Sequence, residues 1–286
     1  MNEKPVEGFS IRQADWQDAI SIQRLINSHS LVHRYLDWRD PLQWLGPQPY
    51  LLLEKNQRLH AVLACPTDPP SIAWVRLFAC DWEMTLDLAW DLLVPVAMQQ
   101  LSLMESHPHC YILALEDWID MLLHQKRYRK HQELIILERD LEPFSIPGDT
   151  SDVHIRNMVD DDLPDVEMID TASFEDLWVY SLPTLQLAFQ QSRLAYMAEI
   201  QGKPVGYLLG TQSGQTAHLA RIAVLTENKR QHIASHLMER FFRDLGQMNI
   251  QRITLNTQSN NQASLALYDK MGFRRTGETF GVYQIL

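Results

Sequence analysis

The 286-residue chain has little cysteine: Cys65, Cys80 and Cys110 are the only three, and they follow no metal-ligand spacing. An odd count cannot close a complete disulfide framework within one chain, so buried thiols are predicted, and no metal. Positive charge is also scarce, with 25 Lys and Arg against 36 Asp and Glu and a formal net charge of −11. Nucleic-acid binders concentrate cations against phosphate, and the one dense basic run, Lys126-Arg127-Tyr128-Arg129-Lys130, reads as a solvated helix end. No nucleic-acid partner is expected. Nor does any apolar stretch approach the ~20 residues of a membrane span, so no membrane partner is expected. The start, Met1-Asn2-Glu3-Lys4-Pro5, lacks an apolar signal core, which predicts a cytoplasmic protein.

What is present is an ordinary globular composition, 45% hydrophobic and 21% charged, on a chain long enough for two cores. Glu142-Pro143-Phe144-Ser145-Ile146-Pro147-Gly148-Asp149-Thr150 is the best linker, rich in Pro, Gly and small polar residues. It separates a domain over residues 1–145 from one over residues 151–286. Seven of the eight tryptophans precede it.

The second half predicts β-α-α-β-β-β-α-β-α-β. A strand over 153–158 leads into a helix opened by Asp160-Asp161-Asp162, with a second helix over 182–192. Strands over 194–200 and 204–211 flank the turn Gln201-Gly202-Lys203, and a strand over 218–225 precedes a helix over 233–248. The first half repeats this order, including one strand over 72–80 and a helix over 86–103. Ile11-Arg12 and Ile155-Arg156 lie 144 positions apart and Leu123 and Tyr268 lie 145 apart, which points to an internal duplication. The expected class is α/β (α+β), each domain a mixed, mostly antiparallel central sheet flanked by helices.

Most of the chemistry lies in Asn260-Asn261-Gln262-Ala263-Ser264-Leu265-Ala266-Leu267-Tyr268-Asp269-Lys270-Met271-Gly272-Phe273. Asn261 is placed to cap a helix, Ala263 and Leu267 to face the core, and Gly272 to end the helix at a left-handed position. A spacing of seven puts Asn261 and Tyr268 on one helix face. The segment resembles the N-x-x-A-x-x-L-Y-x-x-x-G-F signature of GNAT (GCN5-related N-acetyltransferase) proteins. That resemblance implies that this face lines the pantetheine of acetyl-CoA and that the Tyr268 hydroxyl protonates the departing thiolate.

Upstream, the segment running from Arg221 through Leu237 is similar to the family's strand, pyrophosphate loop and helix, with the pattern Q/R-x-x-G-x-G/A. Backbone N–H groups at a helix N-terminus cradle anions, and nearby cations add to the effect. By this resemblance Ile222, Ala223 and Val224 hold the pantetheine, a strand N–H near Val224 holds the oxyanion, and Lys229, Arg230, Gln231, His232, Ile233, Ala234 and Ser235 form the phosphate site. Two positions depart from the pattern: Lys229 replaces Gln or Arg, and His232 replaces glycine. The imidazole either obstructs the phosphate or donates to it.

In the first half, Leu123 stands at the position of Tyr268, and Met84–Ala89, with Asp87, at that of the basic loop. A tandem GNAT arrangement with a degenerate, non-catalytic first domain is implied. The expected reaction is acetyl transfer from acetyl-CoA to a primary amine of a small molecule or peptide, with Glu199 as the candidate base and His218 as another. Glu175 and Asp176 fall where the family builds its acceptor site. The alternative is a non-enzymatic acyl-CoA-binding sensor or interaction module, which His232 and the uncertain base favour.

Overall fold

The computed structural model of the chain describes residues 8–28, 31–141 and 152–286. The linker at 142–150 lies outside them. Two compact units form, one from residues up to Gln132 with Phe280–Leu286, the other from Glu133–Thr279. The C-terminal segment returns to the first unit, a sharing that a division at the linker does not contain.

The first unit runs β1 (Phe9–Gln13), α1 (Ala19–Asn27), β2 (Leu31–Arg34), β3 (Tyr50–Lys55), β4 (Arg58–Ala64), β5 (Ile72–Trp74), β6 (Leu77–Cys80), α2 (Leu86–Ser102), β7 (His109–Ala114) and α3 (Asp117–Gln125). An antiparallel sheet has the order β1-β3-β4-β6-β2, while β5 pairs parallel with β7. Strand β3 is apolar throughout Leu51–Leu53 because both of its faces are covered: Leu52 packs with Ile22 of α1, and Leu51 and Leu53 pack with Trp90 and Leu93 of α2. The single strand predicted over 72–80 breaks at Val75-Arg76, where the chain leaves β7 and joins β4. Strand β2 carried no sequence signal.

The second unit contains most of β8 (Arg129–Asp140), then β9 (Val153–Asn157), α4 (Leu163–Ser173), α5 (Leu182–Gln191), β10 (Leu194–Ile200), β11 (Lys203–Ser213), β12 (Thr216–Val224), α6 (Ile233–Leu245), β13 (Arg252–Gln258), α7 (Gln262–Lys270) and the start of β14 (Arg274–Gln284). The order β8-β13-β12-β11-β10-β9 is antiparallel except for β12 with β13. Helix α6 buries Leu237, Met238, Phe241, Phe242 and Leu245, an apolar stripe at helical spacing. Its Phe241 lies so close to Gly210 of β11 that a Cβ there would overlap the ring. Ala263 is exposed, contrary to the expected core position; the buried residue of α7 is Tyr268, with Leu265 and Leu267 half-buried.

The duplication extends to side chains. Arg12 donates to both oxygens of Asp18 and through Nε to Glu54 at 3.1 Å; Arg156 donates to both oxygens of Asp162 and through Nε to Glu199 at 2.7 Å. The guanidinium of Arg76 lies over Tyr35 and that of Arg221 over Tyr180, both pairs offset by 145 positions. Helices α3 and α7 share that offset at both ends.

Candidate functional site

The parallel ladder of β12 and β13 spans only Thr216–Leu219 against Arg252–Leu255, after which the two strands part. A register shift in the β11–β12 pairing at Leu209/Gly210 leaves Ala220 as an extra residue where they diverge. Beyond it, the Leu225 N–H donates to the Val205 carbonyl at 2.9 Å, so Val224 and Gly206 form a non-hydrogen-bonded pair. The N–H and C=O of Val224 therefore face away from β11, and by alternation so do those of Ile222. Ala223, expected to contact the cofactor as well, turns its backbone groups toward Tyr207. Ser173, at the end of α4, donates to the Val224 carbonyl at 3.3 Å.

Past β12, a short turn over Thr226–Asn228 leads through exposed Lys229, Arg230, Gln231 and His232 into α6. Among the described residues neither Lys229 nor Arg230 has an ion-pair partner, so both charges are available to an anion. Arg230 has φ +66° and His232 has φ +61°. The loop thus keeps a left-handed backbone, the conformation glycine adopts freely, in spite of two side chains. His232 makes no side-chain cap on α6, leaving the first-turn amides around Ile233, Ala234 and Ser235 without one.

Asn261 caps α7 by accepting from the Ser264 N–H at 3.2 Å. Tyr268 is 5% exposed, with its ring packed edge-on to Phe273 at 5.8 Å. Burial pushes its phenol up to about 12, against a hydrogen bond with Ser264 that lowers it, so the hydroxyl stays protonated at neutral pH. Ser264 lies one turn back along α7, which directs the hydroxyl toward the helix start beside Asn261.

The candidate bases are engaged elsewhere. Glu199 on β10 is held by Arg156 in the cluster whose counterpart, Glu54 with Arg12, recurs in the first unit. His218 on β12 meets Thr254 at 2.9 Å, and burial lowers its pKa despite a hydrogen bond to Asn256. Glu175 and Asp176 are exposed at the short turn between α4 and α5.

A buried cluster of Asp170, Tyr207 and Arg221 went unrecognised in the sequence. Asp170 on α4 is fully buried, accepting from the Arg221 NH2 group at 2.8 Å and from the Tyr207 hydroxyl. Arg221 also donates to the Trp178 carbonyl at 2.6 Å and lies between the rings of Phe174 and Tyr180, 3.8 and 3.7 Å away. Burial would lower the Arg221 pKa, but Tyr207 and Asp170 outweigh it and the guanidinium stays charged. The signal was an arginine inside the apolar run Leu219–Leu225, which demands a buried partner.

In the first unit, α2 begins at Leu86, so the loop before it is Asp81–Thr85 and the Met84–Ala89 correspondence does not hold. The acidic character persists in Asp81 and Glu83. Asp87 is paired with Lys126 at 3.0 Å. His60, Asp81 and Glu83 come together as metal ligands would, but Arg58 reaches Glu83 at 2.8 Å and Asp81 at 3.4 Å and supplies the positive charge there.

Parting parallel strands, a basic helix N-terminus after the central strand and a capped final helix occur together in the second unit. Residues 157–273, all within the second unit, match the Acetyltransferase (GNAT) family. An uncharacterized N-acetyltransferase of Methanocaldococcus jannaschii is 29% identical over 123 residues, which are 42% of this chain and 77% of that protein. A GCN5-related N-acetyltransferase from Sphaerobacter thermophilus has a TM-score of 0.61 at 15% identity over 97% of this chain and 96% of its own. A tandem GNAT protein from the clavulanic acid biosynthesis pathway has a TM-score of 0.62 at 10% identity, covering 97% and 99% of the two chains. These two likenesses establish the fold. No helix among the described residues is long and apolar enough to cross a membrane.

Proposed function

We propose that the second unit transfers an acetyl group from acetyl-CoA to a primary amine of a small molecule or peptide. The observation carrying this reading is the parted edge of β12, where Ile222 and Val224 turn backbone groups away from β11 toward a loop with two uncommitted cations. Bound acetyl-CoA supplies an activated thioester. Ile222 and Val224 offer the extended donor and acceptor edge that its amide-bearing arm requires, and Lys229, Arg230 and the first amides of α6 receive its phosphates. A backbone N–H near Val224 stabilises the oxyanion, and Tyr268, kept protonated by burial, donates its proton to sulfur. Glu199 is assigned to anchoring β9 on β10 through Arg156, and the amine enters as its neutral form. Exposed Glu175 and Asp176 favour a cationic acceptor.

Thiol release from acetyl-CoA, measured across a panel of amines and peptides, tests the proposal. Release that depends on the acceptor is expected. Binding of acetyl-CoA with no release for any member of a broad panel would favour the sensor alternative, which the engagement of Glu199 and His218 supports.

A further inference from the structure

In the second unit the parted half of β12 pairs with β11 on one side and, among the described residues, has no strand along its other edge. The first unit contains the same parting, with a different outcome. β5 pairs parallel with β7 over Ile72–Trp74, the chain then leaves β7, and β6 continues alongside β4 as the end of β12 continues alongside β11. The free edge of β6, however, is fully paired: Leu31↔Cys80, Val32↔Ala79, His33↔Phe78 and Arg34↔Leu77 form an antiparallel ladder with β2. The Tyr35 N–H extends it by donating to the Arg76 carbonyl at 3.1 Å. In the second unit the residues 145 positions later, Asp176–Val179, form a short helical turn and the start of the following loop, with no ladder to β12.

His33 completes the arrangement. It is fully buried, and its Nδ1 meets the Glu116 carboxylate at 2.8 Å. Glu116 is the N-cap position of α3, as Asn261 is of α7. Strand β2 therefore joins the edge of β6 by its backbone to the start of α3 by its side chain.

We infer that β2 is the built-in occupant of the first unit's acyl-CoA slot, so that the chain takes one acyl-CoA, in the second unit. Backbone groups already paired in a ladder have none left to offer an extended ligand, and displacing β2 would strand them together with buried His33. The loop before α2 carries Asp81 and Glu83, whose carboxylates are held by Arg58, where the second unit presents Lys229 and Arg230. The inference rests on the acetyl-CoA reading of the second unit, and it supplies the physical reason why the first unit would be silent.

The test uses the full chain and acetyl-CoA as the probe. Calorimetry should give one site, and the surface variant Lys229→Glu/Arg230→Glu should weaken it at least 100-fold and leave no second site. Hydrogen exchange should show Leu77–Cys80 protected without ligand and unchanged by acetyl-CoA, while Ile222 and Val224 gain protection only when it is added. A second site, binding that survives in the charge-reversed variant, or new protection at Leu77–Cys80 would overturn the inference. Fast exchange of the ligand-free Leu77–Cys80 amides would overturn it even for a chain that binds no acetyl-CoA. Absence of binding together with a protected β6 would instead overturn the acetyl-CoA reading, leaving β2 as the occupant of that edge.

Discussion

At the scale of single residues, Tyr268 is the general acid of the proposed mechanism, and His232 is the main departure from the GNAT pattern. Removing the Tyr268 hydroxyl leaves the ring's packing on Phe273 in place, so Tyr268→Phe should hold acetyl-CoA affinity within a few fold while turnover falls by ~10²–10⁴, the usual worth of a general acid. Because its phenol is raised to about 12, its ionisation should produce no basic limb in a rate profile between pH 7 and 10. A raised pKa also means that burial of the protonated form stabilises the fold fully below the unfolded value near 10, and that this contribution is lost as pH climbs toward 12. At His232, glycine would relieve ~1 kcal/mol of left-handed strain while giving back a similar amount in chain entropy, so Tm should barely move. Any change in acetyl-CoA affinity of His232→Gly then belongs to the imidazole. Weaker binding by calorimetry is expected for a donor, and tighter binding would identify an obstruction.

At the scale of elements, the helices were legible because burial on one face writes a period into the sequence. The stripe Leu237, Phe241 and Leu245 of α6 is its clearest case. Strand β2 was illegible because its four residues, Leu-Val-His-Arg, owe their extended form to the ladder with β6 and carry no pattern of their own. The break at Val75-Arg76 was hidden for a related reason: an apolar run buried on both faces does not show where it changes partner. At the candidate site, the capped helix and basic loop could be read from residue types, whereas the engagement of Glu199 by Arg156 is a contact between β10 and β9 that spacing does not display. The buried Asp170–Arg221 pair ties α4 to β12 and holds the Trp178 carbonyl. Asp170→Asn leaves an uncompensated buried guanidinium and should cost about 3–5 kcal/mol in urea unfolding. The double change Asp170→Leu/Arg221→Met should cost less than the sum of its two single changes. Burial lowers the His218 pKa, so its contribution to stability is complete above the unfolded value near 6.5 and is lost as pH falls below it; His218→Gln should flatten that part of a stability profile.

At the scale of the whole molecule, one architecture is present twice, with its polar anchors retained in both copies. Arg12 and Arg156 hold equivalent clusters, and Arg76 and Arg221 each face a tyrosine 145 positions from the other's, which marks these groups as parts of the framework. What differs is the parted strand edge, covered by β2 in one unit and uncovered in the other, and the loop that follows it, acidic in one and basic in the other. The proposed function places a single acetyl-transfer site in the second unit. Its most direct test is the formation of acetylated amine, followed by mass spectrometry with the best acceptor from the amine panel, in the wild-type chain and in Lys229→Glu/Arg230→Glu. The wild type should form product with saturable dependence on acetyl-CoA, and the variant should need at least tenfold more acetyl-CoA to reach half its maximal rate. Equal rates at low acetyl-CoA would contradict the account, as would a wild-type chain that binds acetyl-CoA and acetylates none of the acceptors.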